Sequence, residues 1–155
     1  MLISDLHITR RHLPHWTARD ATYFVTFRTK TGELTVKEQE ISLECIKRGD
    51  GIYYALIAAI VMPDHVHLLL TPHKEYSLSR VMKGLKGVSA HEINALRACA
   101  GHVWQDESYD RIVRNQASLL RFLNYMLLNP VKKGLCDDPW RYAGWFCNLE
   151  EFPLM

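Results

Sequence analysis

Apolar and polar positions change period several times along the chain, and each change marks an element. Tyr23 to Arg28 mixes aromatic and β-branched side chains with threonine, the composition of a strand. A polar stretch from about Thr35 to Arg48 follows, with Val36, Ile41 and Leu43 among its apolar positions, and Gly49-Asp50-Gly51 ends this helix. Ile52 to Met62 is a continuous apolar run that predicts a long buried strand. Pro63-Asp64 supplies a turn, and His65 to Thr71 reads as a second strand in hairpin relation to the first. Leu78 to Ala98 places Val81, Leu85, Val88, Ile93 and Leu96 roughly along one side of a helix, and Tyr109 to Val113 is a last short strand.

The order strand, helix, strand, strand, helix, strand is that of the split βαβ unit, so the expected fold is α+β and ferredoxin-like, an antiparallel βαββαβ sheet covered on one face by helices. An additional C-terminal helix is expected from Gln116 to Asn129. Leu119, Leu120, Leu123 and Leu127 give it an apolar stripe, and Pro130 disfavours helical geometry at the residue before it.

With 155 residues the chain fits one domain, residues 1–155, with an arm over about 1–20 and a tail over about 136–155. Its 48% hydrophobic and 23% charged residues are those of a soluble globular protein, which predicts that the whole chain folds. Ile52 to Met62 is too short to span a bilayer, and the amino terminus lacks the pattern of a signal peptide, so a cytoplasmic location and no membrane partner are expected. Cys45, Cys99, Cys136 and Cys147 form no C-x-x-C pair, which predicts free, mostly buried thiols.

Net charge is only +2, but it is unevenly spread. Residues 111–133 carry Arg111, Arg114, Arg121, Lys132 and Lys133 with no acid, while residues 72–97 add Lys74, Arg80, Lys83, Lys86 and Arg97 against Glu75 and Glu92. If both segments face one cleft, a polyanion is a plausible partner; charge alone fits solvated helix faces better.

His65 and His67 lie two apart on a strand, so their side chains leave the same face, as two ligands of one metal must. Two imidazoles among Val66, Leu68, Leu69 and Leu70 are costly to bury without partners, and a shared cation satisfies both. Tyr125 and Asn129 are four apart, on one face of the last helix. Taken alone, those two read better as a partly buried helix tyrosine and a helix-terminal cap before Pro130.

Four segments taken in order change that weighting. Leu13-Pro-His-Trp16 with Ala21-Thr-Tyr-Phe-Val-Thr-Phe-Arg28, then Val61-Met-Pro-Asp-His-Val-His-Leu-Leu-Leu70, then Val103-Trp-Gln105, then Asn124-Tyr-Met-Leu-Leu-Asn-Pro-Val-Lys-Lys-Gly-Leu135 resemble the successive motifs of the REP-associated tyrosine transposases. These are relatives of small insertion-sequence transposases within the HUH class of single-stranded-DNA nucleases. The resemblance runs from about residue 11 to residue 146.

The resemblance implies metal ligation by His65 and His67, a nucleophilic Tyr125, and a third ligand at Asn129, where related enzymes often have glutamine. Its implied cofactor is Mg²⁺ or Mn²⁺, and its implied reaction is cleavage and strand transfer of single-stranded DNA through a 5′-phosphotyrosine. The family's substrates are hairpin-forming palindromes beside a short guide sequence. Candidate DNA-binding residues are then Arg10, Arg11, His12 and Trp16 in the arm, with Arg28, Lys83, Lys86, Arg111, Arg114, Lys132 and Lys133. The arm reads equally as a structural strap. Asp110, Glu107 and His91 are candidates for a general base. A non-catalytic hairpin-binding protein is the alternative, and a metal-dependent phosphohydrolase a more distant one; monomer and homodimer both fit.

Overall fold

The computed structural model describes residues 9–10 and 21–151. In chain order the elements are β1 (Thr9–Arg10), β2 (Thr22–Thr29), α1 (Val36–Gly49), β3 (Tyr54–Val61), β4 (His65–Pro72), α2 (Leu78–Arg97), β5 (Trp104–Val113), α3 (Gln116–Lys132), β6 (Trp145–Cys147) and β7 (Leu149–Glu151). Five strands form one antiparallel sheet in the order β5-β2-β4-β3-β6, and β1 pairs with β7 in a small second sheet. The first four strands of the large sheet reproduce the expected ferredoxin-like order.

The sheet is covered on both faces, where the sequence pattern predicts helices on one. Val66, Leu68 and Leu70 of β4 pack with Val25 and Phe27 of β2 against Leu43 and Ile46 of α1 and Val81, Leu85 and Ile93 of α2. Leu69, on the alternate phase of the same strand, packs with Phe24, Ile57 and Ile60 against Leu119, Leu120, Leu123, Met126 and Leu127 of α3. The apolar stripe of the additional helix is what makes this second covered face possible. β4 is therefore central in the sheet and buried on both sides over its first six residues.

Helix α2 is anchored by Val81, Met82, Leu85, Ser89 and Ile93, whereas Val88 and Leu96 face solvent, half exposed, and correct the expected stripe. Helix α3 begins at a capping box in which Asn115 accepts from the Ser118 amide and the Ser118 hydroxyl accepts from the Asn115 amide. It continues through Pro130 to Lys132, past the expected end at Asn129. The proline sits in the last turn, and the closing bonds from Lys133 N to the Asn129 carbonyl and from Leu135 N to the Pro130 carbonyl satisfy the helix end. Asn129 is thus an interior helix residue with its side chain free for other work, rather than a cap.

Beyond α3 the chain returns to the sheet, which the sequence pattern did not predict. A 3-10 turn at Pro139–Arg141 leads to β6, which hydrogen-bonds along the β3 edge from Ala58 to Ile60. Strand β5 also starts earlier than expected, at Trp104, because the Trp104 ring is buried against Phe27 and its indole N–H donates to Ser89 Oγ at 2.9 Å. The cysteines are free as expected, but only Cys45 is buried. No helix of the described residues is long and apolar enough to cross a membrane.

The seating of α3 is open to test. Leu123 is fully buried between that helix and the sheet. Leu123→Ala should lower unfolding free energy by about 2–5 kcal/mol in urea titrations; a loss under about 1 kcal/mol would mean that α3 is only loosely packed on the sheet.

Candidate metal centre

The alternation of β4 sends His65 and His67 to the α3 face, with ring centroids 4.7 Å apart. Each ring is fixed through its Nδ1 atom. His65 Nδ1 lies 2.7 Å from Asp64 Oδ1, and because an ionised carboxylate only accepts, the ring donates there and keeps a lone pair on Nε2. His67 Nδ1 lies 2.7 Å from Thr26 Oγ1, its neighbour across the β2–β4 ladder. With the same tautomer, His67 also presents a lone pair at Nε2.

That Nε2 atom of His67 is the one buried side-chain polar atom without a hydrogen-bond partner among the described residues. An orphaned buried polar group is costly, and a cation bound there would remove the cost. Nearby, the amide nitrogen of Asn129 is 3.4 Å from His65 Nε2. Turning that amide about its axis brings its oxygen to the same place, and the two orientations are equivalent in shape. Two imidazole nitrogens and one amide oxygen are thereby gathered, a set that fits a divalent cation with mixed nitrogen and oxygen ligands. No group of three His, Cys, Asp or Glu side chains is arranged for a metal among the described residues; the third donor here is an amide.

The electrostatics keep both rings neutral, the state a metal ligand requires. Burial pushes the His67 pKa down to about 3, helped by the neighbouring charges of His65 and Arg28. Burial also lowers that of His65, against the opposing pull of Asp64. The Asp64 carboxyl is held below its ordinary value, first by its hydrogen bond to His65.

Tyr125 sits on α3 at the mouth of this pair, half exposed, its ring 5.4 Å from that of His67. Phe24 sets the helix register: it stacks on Phe122 at 4.4 Å and on His67 at 5.2 Å, and meets Tyr125 edge-on at 6.2 Å. Asn129, one turn beyond Tyr125, is consequently carried to His65. All four candidate site residues meet in one place although 64 positions separate His65 from Asn129.

The basic residues divide. Exposed Arg28 lies directly across the ladder from His65, and its charge acts on both histidines; Lys133 acts on His65. Arg111 pairs across β5 and β2 with Phe24 and is exposed on the same side of the sheet. Arg114 and Lys132 are exposed just before α3 and in its last turn. Lys83 and Lys86 belong to α2, on the opposite face, so the condition that both basic segments face one cleft is not met: the sheet stands between them. Lys86 donates to the carbonyls of Asp106 and Glu107 and to Ser108 Oγ, tying α2 to β5. Arg10 contributes backbone to β1, while its side chain, Arg11, His12 and Trp16 lie outside the described residues.

Two of the three candidate bases are removed by the same geometry. Asp110 pairs with Val25 and lines a cavity under α2, and His91 is on α2 itself, both across the sheet from Tyr125. Glu107 faces the site side and accepts from the Tyr109 hydroxyl at 3.2 Å. Tyr142 is occupied as well, donating to the Val61 carbonyl at 2.9 Å with its pKa raised to about 12 by burial. Sequence reasoning missed Thr26, Phe24 and Phe122, which only strand register and helix docking bring in, and read Asp64 as a turn residue when it also orients His65.

A family model described as IS200-like transposase matches residues 24–126, a span that includes His65, His67 and Tyr125. The chain belongs to the IS200-like transposase family. Within it, similarity extends to a REP-associated tyrosine transposase of Escherichia coli strain K12, 25% identical over 121 residues covering 75% of this chain and 70% of the relative. A Haemophilus influenzae protein named for the same group is 22% identical over 109 residues, 63% of this chain and 62% of its own length. Among solved structures, a REP-associated tyrosine transposase bound to a REP hairpin superposes with a TM-score of 0.67 at 18% identity, over 86% of this chain and 81% of that one. This last likeness establishes that the IS200-like chain shares its fold.

Neutral buried histidines make stability depend on pH with a definite sign. The folded state holds fewer protons than the unfolded chain between about 3, the folded value of His67, and about 6.5, the unfolded one, so stability should fall as pH drops through that window. His67→Gln should flatten the fall, measured as urea midpoints from pH 7 to pH 4. An unchanged slope would show that His67 is not buried in its neutral form.

Proposed function

We propose that this chain is a metal-dependent single-stranded-DNA endonuclease and strand transferase that uses Tyr125 as nucleophile on hairpin-forming DNA. The observation that carries the proposal is the partnerless, buried Nε2 of His67, set beside His65 and Asn129 with the Tyr125 ring 5.4 Å away. A structural role for the histidines would leave that atom unpaired for no gain. The names of the curated relatives, and the REP hairpin held by the solved structure of the same fold, support the choice of DNA as substrate.

His65, His67 and Asn129 would hold Mg²⁺ or Mn²⁺, which when bound polarises the nonbridging phosphate oxygens and stabilises the leaving oxygen. The remaining work belongs to the protein. Asp64 and Thr26 aim the two Nε2 atoms, and Phe24 and Phe122 hold α3 so that Tyr125 faces them. Arg28 and Lys133 supply positive charge for the phosphate backbone at the rim.

In the reaction, the Tyr125 oxygen bonds to phosphorus as the bond to the 3′-oxygen breaks. The phenolic proton leaves to solvent at the exposed side of the ring, and the departing oxygen is protonated to a 3′-hydroxyl. The 5′ end stays on the protein as a phosphotyrosyl ester, which keeps the bond energy, so attack by a 3′-hydroxyl rejoins strands without ATP. The histidines and Tyr125 come from one chain, so the reading requires no second copy; a monomer suffices.

Denaturing electrophoresis after incubation with 3′-labelled hairpin DNA and Mn²⁺ should show a covalent adduct that Tyr125→Phe abolishes while hairpin affinity stays within about two-fold, since only a hydroxyl is lost. Adduct formation by that variant would place the nucleophile elsewhere. His65→Ala and His67→Ala should each lose Mn²⁺ binding in calorimetry as well as cleavage. Full Mn²⁺ affinity in either would make the histidine pair structural.

A further inference from the structure

On the face of the sheet away from His65 and Tyr125, the end of α1, the entry to β3 and the first half of α2 enclose a cavity of about 750 Å³, within the roughly 300–1,000 Å³ of ligand sites. Its lining contains three cations, Arg48, Arg80 and Lys83, and no carboxylate. Arg48 is held by Glu92, while Arg80 and Lys83 are exposed and have no carboxylate partner among the described residues. Tyr53 and Tyr76 stand edge to face at 5.2 Å, and the Arg80 guanidinium lies 5.2 Å over the Tyr76 ring.

The cavity wall also explains two oddities of the packing. Ile52, Tyr53 and Val88, 58%, 47% and 54% exposed, leave three large apolar side chains in water together along this one wall. Gly84 presents bare helix backbone there, with nothing within 4 Å of where a Cβ would stand. Flat aromatic faces, unpaired cations and open backbone together match a ligand with planar rings and repeated negative charge. A peptide partner with acidic side chains would answer the cations but leave the ring faces without a planar counterpart.

We propose that this groove binds unpaired nucleotides of a DNA strand, with a base packed on Tyr53 and Tyr76 and phosphates held by Arg80 and Lys83. The proposal rests on the reading that DNA is the substrate, and adds a second contact across the sheet from the cutting site. Stacking of this kind is sequence-tolerant because every base has a π-face. DNA whose hairpin carries a single-stranded tail would engage both faces, while a blunt hairpin would leave this one empty. Lys83, a DNA-binding candidate from its charge, gains a place in this scheme although it is remote from Tyr125.

The test uses the full chain carrying Tyr125→Phe in EDTA, so that neither cleavage nor metal enters the result. Fluorescence anisotropy with a hairpin bearing a twelve-nucleotide thymidine tail should show about ten-fold weaker binding for Tyr53→Ala with Arg80→Ala, and no more than two-fold weaker binding of the blunt hairpin. Both side chains are exposed, and circular dichroism melts confirm that the double variant folds. The same tail substituted with 5-iododeoxyuridine should photocrosslink to Tyr53 or Tyr76, identified by mass spectrometry of the peptides. Equal affinity of parent and variant for the tailed hairpin, or crosslinks confined to the α3 face, would overturn the proposal. Tighter binding of free thymidine monophosphate than of the tail would also overturn it, making the groove a mononucleotide site. Weak binding of both hairpins by the parent itself would instead refute the DNA reading on which it rests.

Discussion

An imidazole placed in the middle of a sheet covered on both faces loses its water on every side, and most of this molecule's arrangement follows from how β4 meets that constraint. One nitrogen of each ring is satisfied within the protein, by the adjacent Asp64 and by Thr26 on the neighbouring strand. The other nitrogen of each faces α3, where His65 finds Asn129 and His67 finds nothing. The same helix that removes the water therefore also brings the amide and the tyrosine. Without α3 the histidines would be ordinary wet side chains on an exposed sheet face, with neither a lowered pKa nor a neighbouring phenol.

The fold was legible because its signals are local. The aromatic and β-branched composition of Tyr23–Arg28, the apolar run Ile52–Met62, the turn at Pro63-Asp64 and the helical stripes each depend on a few adjacent residues, and their order alone selects the ferredoxin-like arrangement. What escaped is what depends on partners far away in the chain. Trp145-Phe146-Cys147 has strand-forming aromatics, but three residues are too few to be told from a tail until the β3 edge is in place to receive them. Pro130 reads as a stop from its own chemistry, yet closing bonds from Lys133 and Leu135 carry the helix past it.

The site shows the same division. The shared face of His65 and His67 follows from strand period alone, and the shared face of Tyr125 and Asn129 from helix period alone. That the two faces meet is a property of docking, and Phe24 is the residue that sets it, through contacts with both Phe122 and His67. Charge was the least reliable guide. Lys83 and Lys86 are near the other cations in composition but across the sheet from them in space, and Lys86 uses its ammonium group to hold β5.

The order of elements along the chain has a consequence during synthesis. All strands of the ferredoxin-like unit, with both histidines, precede the helix that bears Tyr125. As the chain emerges from the ribosome, the sheet can close while the proposed nucleophile is still in the exit tunnel. The half-made protein then holds both histidines on an open face but lacks the proposed nucleophile. Under the proposed mechanism the chain is harmless to nucleic acid until its final covering helix has docked, and a chain cut short before residue 125 stays so permanently.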